Sequence, residues 1–516
     1  MALDGSVNCY WILKDVHFIS FRINLFLIKN FMHNNNLLKL LKSFQKEEFR
    51  DFCMFVNSQY FNRENVLITF TGILKKHYPT FTGNDLLKDK IYLKLFPGKK
   101  YNDAVLRNAV SDLLKLAEEF LKTVQLKKDT FYGQYLLLKE LTNRKQQKLF
   151  NMNYKKAEHI LKDTGIADEI YYQNVFLLSD EKRRNVVVNS SRILYKDDNL
   201  NEQAYNLHLH YLVENVKLYA IMLNQRKFTY DHEFDFSLFE ILLKYIEDNF
   251  EFYKKIPYIS IFYNCVMLYK TEEKKYFNEM KYLTKTHFNK LTLTDRKNMY
   301  MVLSNHSTSQ IKSGKFEFYE EMFDIYLEMI RSKAYLEGNN FMAHYIYISI
   351  AMNAVALGNL DWSEKFLNKY KKLLHSDFMD SSYNYCMANV HLEKKEFNSA
   401  LEKLSRVRPI DINFKIYINT TLLKIYFCKN ESDSFLSLVD SFRHFIRRNK
   451  EMRLMDRTSH NNFLLYLKKL FILKSGHNII HYSDFMILKS SLEKNNETSY
   501  KKWLLDEFSK FENNFL

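Results

Sequence analysis

Apolar residues in this chain recur every three or four positions over long stretches, the spacing that gathers side chains on one stripe of a 3.6-residue helix. The clearest stretch is 102–126, where Leu106, Ala109, Val110, Leu113, Leu116, Ala117, Phe120 and Val124 share a side. Asn102 stands where its side-chain oxygen can accept from the free amides of the first turn. Between Leu37 and Leu126 the pattern predicts four or five helices, Leu37, Leu38, Leu40 and Leu41 opening the first and Phe49, Phe52, Cys53 and Val56 lining the next. Further on, Tyr205, Leu209, Leu212, Val216, Ala220 and Leu223 form one face, with residues 196–199 and Gln225-Arg226-Lys227 as flanking loops. Pro257 is expected to open another helix, where a missing amide is harmless.

From residue 291 the pattern predicts pairs of helices. Thr294 is placed to cap a helix through Met301 and Leu303, and Ser313-Gly314-Lys315 to turn it into a second over 318–330. Three stretches then repeat one design every 34 to 37 residues. Gly358, Lys395 and Lys429 read as turns, each preceded by an apolar run (345–357, 383–392 and 416–427). Each is followed five residues later by a small residue, Ser363, Ala400 and Ser434. A small residue there lets two helices approach, and hairpins of this kind hide their apolar faces only by stacking. The units resemble tetratricopeptide repeats in length and in that small residue, although of the repeat's Leu-Gly pairs only Leu357-Gly358 is present. In residues 476–516, Thr498 or Ser499 caps a terminal helix that buries Tyr500, Trp503, Leu504, Phe508 and Phe511 and closes the stack.

The expected fold is therefore all-α: an N-terminal helical module (32–126), a middle helical region (127–290), an α-solenoid of tetratricopeptide-like hairpins (291–475) and C-terminal cap helices (476–516). Residues 1–31 read as a non-native or disordered extension, with translation expected from Met32. Their apolar run is broken by Arg22 and Lys29, and no small-residue cleavage site follows it. Ser58-Gln59-Tyr60-Phe61-Asn62, His77-Tyr78-Pro79-Thr80-Phe81 and Leu95 through Asp103, reading LFPGKKYND, together resemble the opening of an uncharacterised all-helical protein group of Bacteroidota. The resemblance covers about residues 36–126 and implies a helical, cytoplasmic bacterial protein; it carries over no functional residue.

Composition agrees with long helices. Ten Gly and four Pro in 516 residues leave few of the turn residues that β architectures need. Five cysteines, Cys9, Cys53, Cys265, Cys386 and Cys428, form no CxxC pair and fit a reducing cytoplasm. The net charge of +16 would favour acidic partners, but the lysines are dispersed along the chain.

Catalytic and metal motifs are missing from the sequence. His208 and His210 are two residues apart, which on a helix separates them by about 200° and prevents a shared ion. Asp231-His232-Glu233-Phe234-Asp235 falls in an expected loop, where capping acids are common. Pro97-Gly98-Lys99-Lys100 lacks the remaining positions of a nucleotide loop. The best local feature is basic: if 441–457 is one helix, Arg443, Arg447, Lys450 and Arg457 share a face that could contact an anion or an acidic partner. The expected function is a non-enzymatic scaffold with no cofactor, no metal and no membrane partner, binding a protein or peptide in the concave repeat surface beside Tyr385. The alternative is a nucleic-acid-associated regulator working through its basic helical faces.

Overall fold

A computed structural model describes residues 35–189, 200–228, 233–336, 340–475 and 482–512. The expected extension 1–31, the start at Met32, the loop 196–199, Cys9, Asp231 and His232 lie outside the described residues. The chain divides into two compact units, residues 1–160 with 184–191 and residues 161–183 with 192–516. The described residues form 24 α-helices and no strand, apart from one isolated bridge between Leu336 and Met342.

The first unit opens with α1 (Asn36–Lys42), α2 (Lys46–Asn57), α3 (Asn65–Lys75), α4 (Lys88–Leu95) and α5 (Asp103–Lys128). Asn102 caps α5 as expected, its side chain accepting from the amides of Ala104 and Val105. The α5 stripe places Leu106, Leu113, Ala117 and Phe120 in a core built largely of rings. Phe120 lies 5.6 to 5.8 Å from Phe44, Phe52 and Phe55. After α6 (Thr130–Asn143), Lys145 takes a left-handed conformation (φ 55°) and the amide of Gln146 donates back to the Leu141 carbonyl, turning the chain into α7 (Gln147–Asp163).

The helices that follow are α8 (Glu169–Asn189), α9 (Leu200–Phe228), α10 (Ser237–Asp248), α11 (Phe250–Tyr253), α12 (Pro257–Thr271), α13 (Lys274–Thr286), α14 (Leu293–Lys312) and α15 (Phe318–Arg331). Pro257 is the first residue of α12. Gln225, Arg226 and Lys227 are not a loop: α9 runs through them because tertiary partners hold its last turn. Arg226 stacks 4.7 Å from the Phe236 ring, and Lys227 pairs with Glu272. The cap of α14 is Thr292 rather than Thr294; its hydroxyl accepts from the Asp295 amide and donates to the Asp295 carboxylate at 2.7 Å. That carboxylate is held by the Tyr258 hydroxyl as well (3.0 Å), and with Glu169 it faces the buried Lys217 ammonium, at 3.4 and 2.8 Å. Burial works against the charge on Lys217, but the Glu169 hydrogen bond and the Asp295 charge outweigh it and hold the ammonium above its ordinary pKa.

Paired helices continue as α16 (His344–Ala356) with α17 (Leu360–Tyr370), α18 (Ser376–Glu393) with α19 (Phe397–Ser405), and α20 (Ile412–Lys429) with α21 (Ser432–Arg448). Gly358 (φ 77°), Lys395 (φ 61°) and Asn430 (φ 60°) are the left-handed residues of the three turns. In each, the next amide donates to the carbonyl five residues back: Asn359 to Ala354, Glu396 to His391 and Glu431 to Tyr426, at 2.8 to 3.0 Å. The third turn therefore sits one residue beyond Lys429. Its close-approach position falls on Phe435, which is fully buried and stacks 4.1 Å from Phe471, while Ser434 is exposed. Asn takes the left-handed conformation more readily than other non-glycine residues, which draws the turn to Asn430. Ser363 and Ala400 are fully buried as expected, and Ser363 donates to the Ala351 carbonyl.

One apolar cluster extends from Tyr172 to Ile425 and crosses residues 290 and 291 without a break. A second is formed by α20, α21, α22 (Leu454–Lys474), α23 (Tyr482–Lys494) and α24 (Lys501–Glu512), around Phe435, Val439, Phe463, Phe485, Leu504 and Phe508. Neither Thr498 nor Ser499 caps α24. Its first bond runs from the Leu504 amide to the carbonyl of Tyr500, whose left-handed φ of 55° starts the helix, and the Thr498 hydroxyl is buried without a partner.

Candidate functional site

The helices that precede each turn, α14, α16, α18 and α20, present one row of side chains to a common hollow, and α15 and α24 supply the rest of its wall. The hollow measures about 330 Å3. Three of its residues hold the same place in successive hairpins: Met352, Asn389 and Lys424 each stand six positions before the left-handed residue that follows their helix. Tyr319, Met322 and Tyr326 enter from α15, Tyr385 from α18, and Tyr500, Lys502, Trp503 and Asp506 from the C-terminal segment.

That segment also bonds to the helices around the hollow. Lys502 Nζ donates to the Ala356 carbonyl oxygen at 2.9 Å, satisfying a free carbonyl at the end of α16, and lies 4.9 Å from the Tyr319 ring. At the start of α22, Arg453 grips Asp456 with Nε and Nη2 (2.7 and 3.0 Å) and reaches the Lys227 carbonyl of α9 with Nη1 at 2.5 Å. Lys312 of α14 stands 3.9 Å from Asp456. The second unit is thus tied together by contacts between residues far apart in sequence.

Lys424 is the distinctive group. Its Nζ lies 4.7 Å from the Tyr500 ring and 4.8 Å from the Trp503 ring, and it makes no hydrogen bond or ion pair among the described residues. Burial pushes its pKa down to about 8, against the opposing pull of Glu393, Cys428 and Glu507. Burial also drives the phenols of Tyr319 and Tyr326 up to about 12 and those of Tyr385 and Tyr500 well above the ordinary value, so all four remain hydroxyl groups near neutral pH. The pocket therefore combines aromatic walls, neutral hydrogen-bonding groups, the carboxylates of Glu393 and Asp506 and two ammoniums, of which that of Lys424 makes no hydrogen bond to the described residues.

The basic stripe expected over 441–457 does not form, because the helix breaks. α21 stops at Arg448, residues 449–453 link it to α22, and a Lys450 on the link cannot share a helical face with Arg443 and Arg447. Arg443 and Arg447 are exposed near the end of α21, where cations complement the helix dipole. Arg457 lies on α22, with its Nε buried and without a partner. A second cleft of about 540 Å3 is lined by Lys371, Lys403, Arg406 and Arg408, but Lys371 is paired with Asp380 (2.9 Å) and Arg406 with Glu402 (2.5 Å). His208 and His210 diverge as expected: His208 meets the Tyr253 hydroxyl at 2.7 Å and His210 the Glu169 carbonyl at 2.9 Å. Of the acidic cluster, Asp235 accepts from the Ser237 amide at the start of α10. Cys53, Cys265 and Cys386 are buried, and Cys428 is half-buried. No group of three or more metal-binding side chains occurs among the described residues, and no described helix is long and apolar enough to cross a membrane.

Sequence reasoning named Tyr385 but missed Lys424 and Lys502. The signal was present for Lys424, a lone cation inside the apolar run 416–427. Lys502 and Asp506 enter the pocket only through a long-range fold contact that no local pattern carries. No protein-family model matches this chain, and no curated protein or solved structure matches it either.

Proposed function

We propose that the second unit is a non-enzymatic α-solenoid of tetratricopeptide-like hairpins that holds a short protein segment on its inner face. The observation that carries the reading is the hollow built from one side-chain row of successive hairpins, with Met352, Asn389 and Lys424 at repeat-related depths. Recurrent left-handed turns and the buried Ser363 and Ala400 support the repeat assignment. Rings with hydroxyl tips suit recognition, since each offers contact area and a directional bond at little entropic cost. The nucleic-acid alternative loses support because the expected basic stripe is divided between two helices and a link.

The test is capture from native-host extract by the immobilised full chain, compared with Met352→Trp, which fills the hollow, and Tyr385→Ala, which widens it. A protein held by the parent and lost by both variants, with both variants still folded by circular dichroism, supports the reading. Identical capture by all three overturns it.

A further inference from the structure

The size of the hollow limits its occupant. At about 330 Å3 the hollow lies at the lower end of the range of small-molecule sites. What fits is a small organic group or the last residues of an extended chain. Its charge is constrained as well. The half-buried Lys424 ammonium has no acceptor among the described residues, and an incoming acceptor would satisfy donors that the fold leaves unused. The Lys502 ammonium adds to the positive potential but is already directed at the Ala356 carbonyl. Glu393 and Asp506 line the same space and Glu507 lies close to Lys424, so a doubly charged anion would be repelled.

On the reading of this hollow as the recognition site, we propose that it takes a singly charged carboxylate carried on a small apolar or aromatic body, with the carboxylate on Lys424 Nζ and the body against Tyr319, Met322 and Tyr385. Two sources share that chemistry, the C-terminal residue of an extended peptide and a free small acid.

Trp503 reports occupancy directly, because its ring lies 4.8 Å from Lys424 Nζ. The experiment is a fluorescence titration of the full chain carrying Trp11→Phe and Trp362→Phe, so that Trp503 gives the signal. The probes are 3-phenylpropionate, N-acetyl-Ala-Ala-Phe with a free carboxylate, and the amide of each. The expected result is a saturable change with one or both acids, and affinity about 10- to 100-fold weaker for the amides and for Lys424→Met, the loss of one charge-assisted hydrogen bond. Binding by the peptide alone identifies a chain end as the source, and binding by both identifies a small acid as sufficient. The groups facing Lys424 are Glu393 of α18, Cys428 of its own helix, Glu507 of α24 and Tyr500. The acid's affinity should therefore fall as pH rises through about 8, where Lys424 loses its charge, and Lys424→Arg should abolish that fall. No saturable change up to about 10 mM of either acid, or equal affinity for acid and amide, overturns the proposal. If that happens while Met352→Trp still releases a captured protein, the carboxylate assignment fails and the recognition reading stands.

Discussion

His306 is buried on α14, 3% exposed, with its ring 4.9 Å from Phe277 and 5.8 Å from Phe318. Burial between those rings lowers its pKa from 6.5 to about 4, because the imidazolium would lose its hydration without gaining a comparable partner. The unfolded chain therefore binds a proton that the folded chain refuses between these two values. Stability is complete above 6.5 and declines as pH falls toward 4. Linkage gives a loss of about 2 kcal/mol at pH 5 and about 3 kcal/mol at pH 4 from this side chain alone. The measurement is urea unfolding of the parent and of His306→Phe from pH 7 to pH 4. The variant's own effect at pH 7 is subtracted, and taking the difference between the two proteins at each pH removes the parallel contribution of His460, whose pKa burial likewise lowers to about 4. The difference between the two proteins should shift by about 2 kcal/mol in favour of the variant by pH 5. A shift below about 0.5 kcal/mol, within the scatter of such extrapolations, would refute the reasoning.

Lys217→Met leaves Glu169 and Asp295 without their cation and should cost about 3 to 5 kcal/mol by thermal or urea unfolding. Lys395→Gly should stabilise by about 0.5 to 1 kcal/mol by relieving a left-handed φ, whereas Gly358→Ala should lose about 1 kcal/mol from conformation alone, since a Cβ there meets nothing within 4 Å. Ala400→Leu should destabilise by about 1 to 3 kcal/mol through overpacking, while Ser434→Leu should change stability by less than about 0.5 kcal/mol. Equal losses at these two positions would restore Lys429 as the third turn.

The helices were legible because each buries a stripe, and a stripe is a local property. The Asn102 cap, the Pro257 start and the first two hairpin turns all followed from neighbours within a few residues. Errors arose where a competing local option existed. Thr292 and Thr294 are both competent caps, and Asn430 beside Lys429 offered a cheaper left-handed residue one step on. Gln225-Arg226-Lys227 looked like a loop until Phe236 and Glu272, distant in sequence, held it helical. Of the pocket, the hairpin contributions were within reach of periodicity. Its closing wall was not, because α24 meets α16 through Lys502 and Ala356, 146 residues apart.

The strap formed by Arg453 and Lys502 bears on how this unit comes apart. In an open row of hairpins the terminal pair can melt by giving up a single interface, so such arrays fray from their ends. Here, releasing α22 and α24 also breaks bonds to the carbonyls of Lys227 at the end of α9 and Ala356 at the end of α16, far back along the chain. The last pair is fastened to the middle of the row, and hydrogen exchange should find its slowest amides opening together with those of α16 instead of ahead of them.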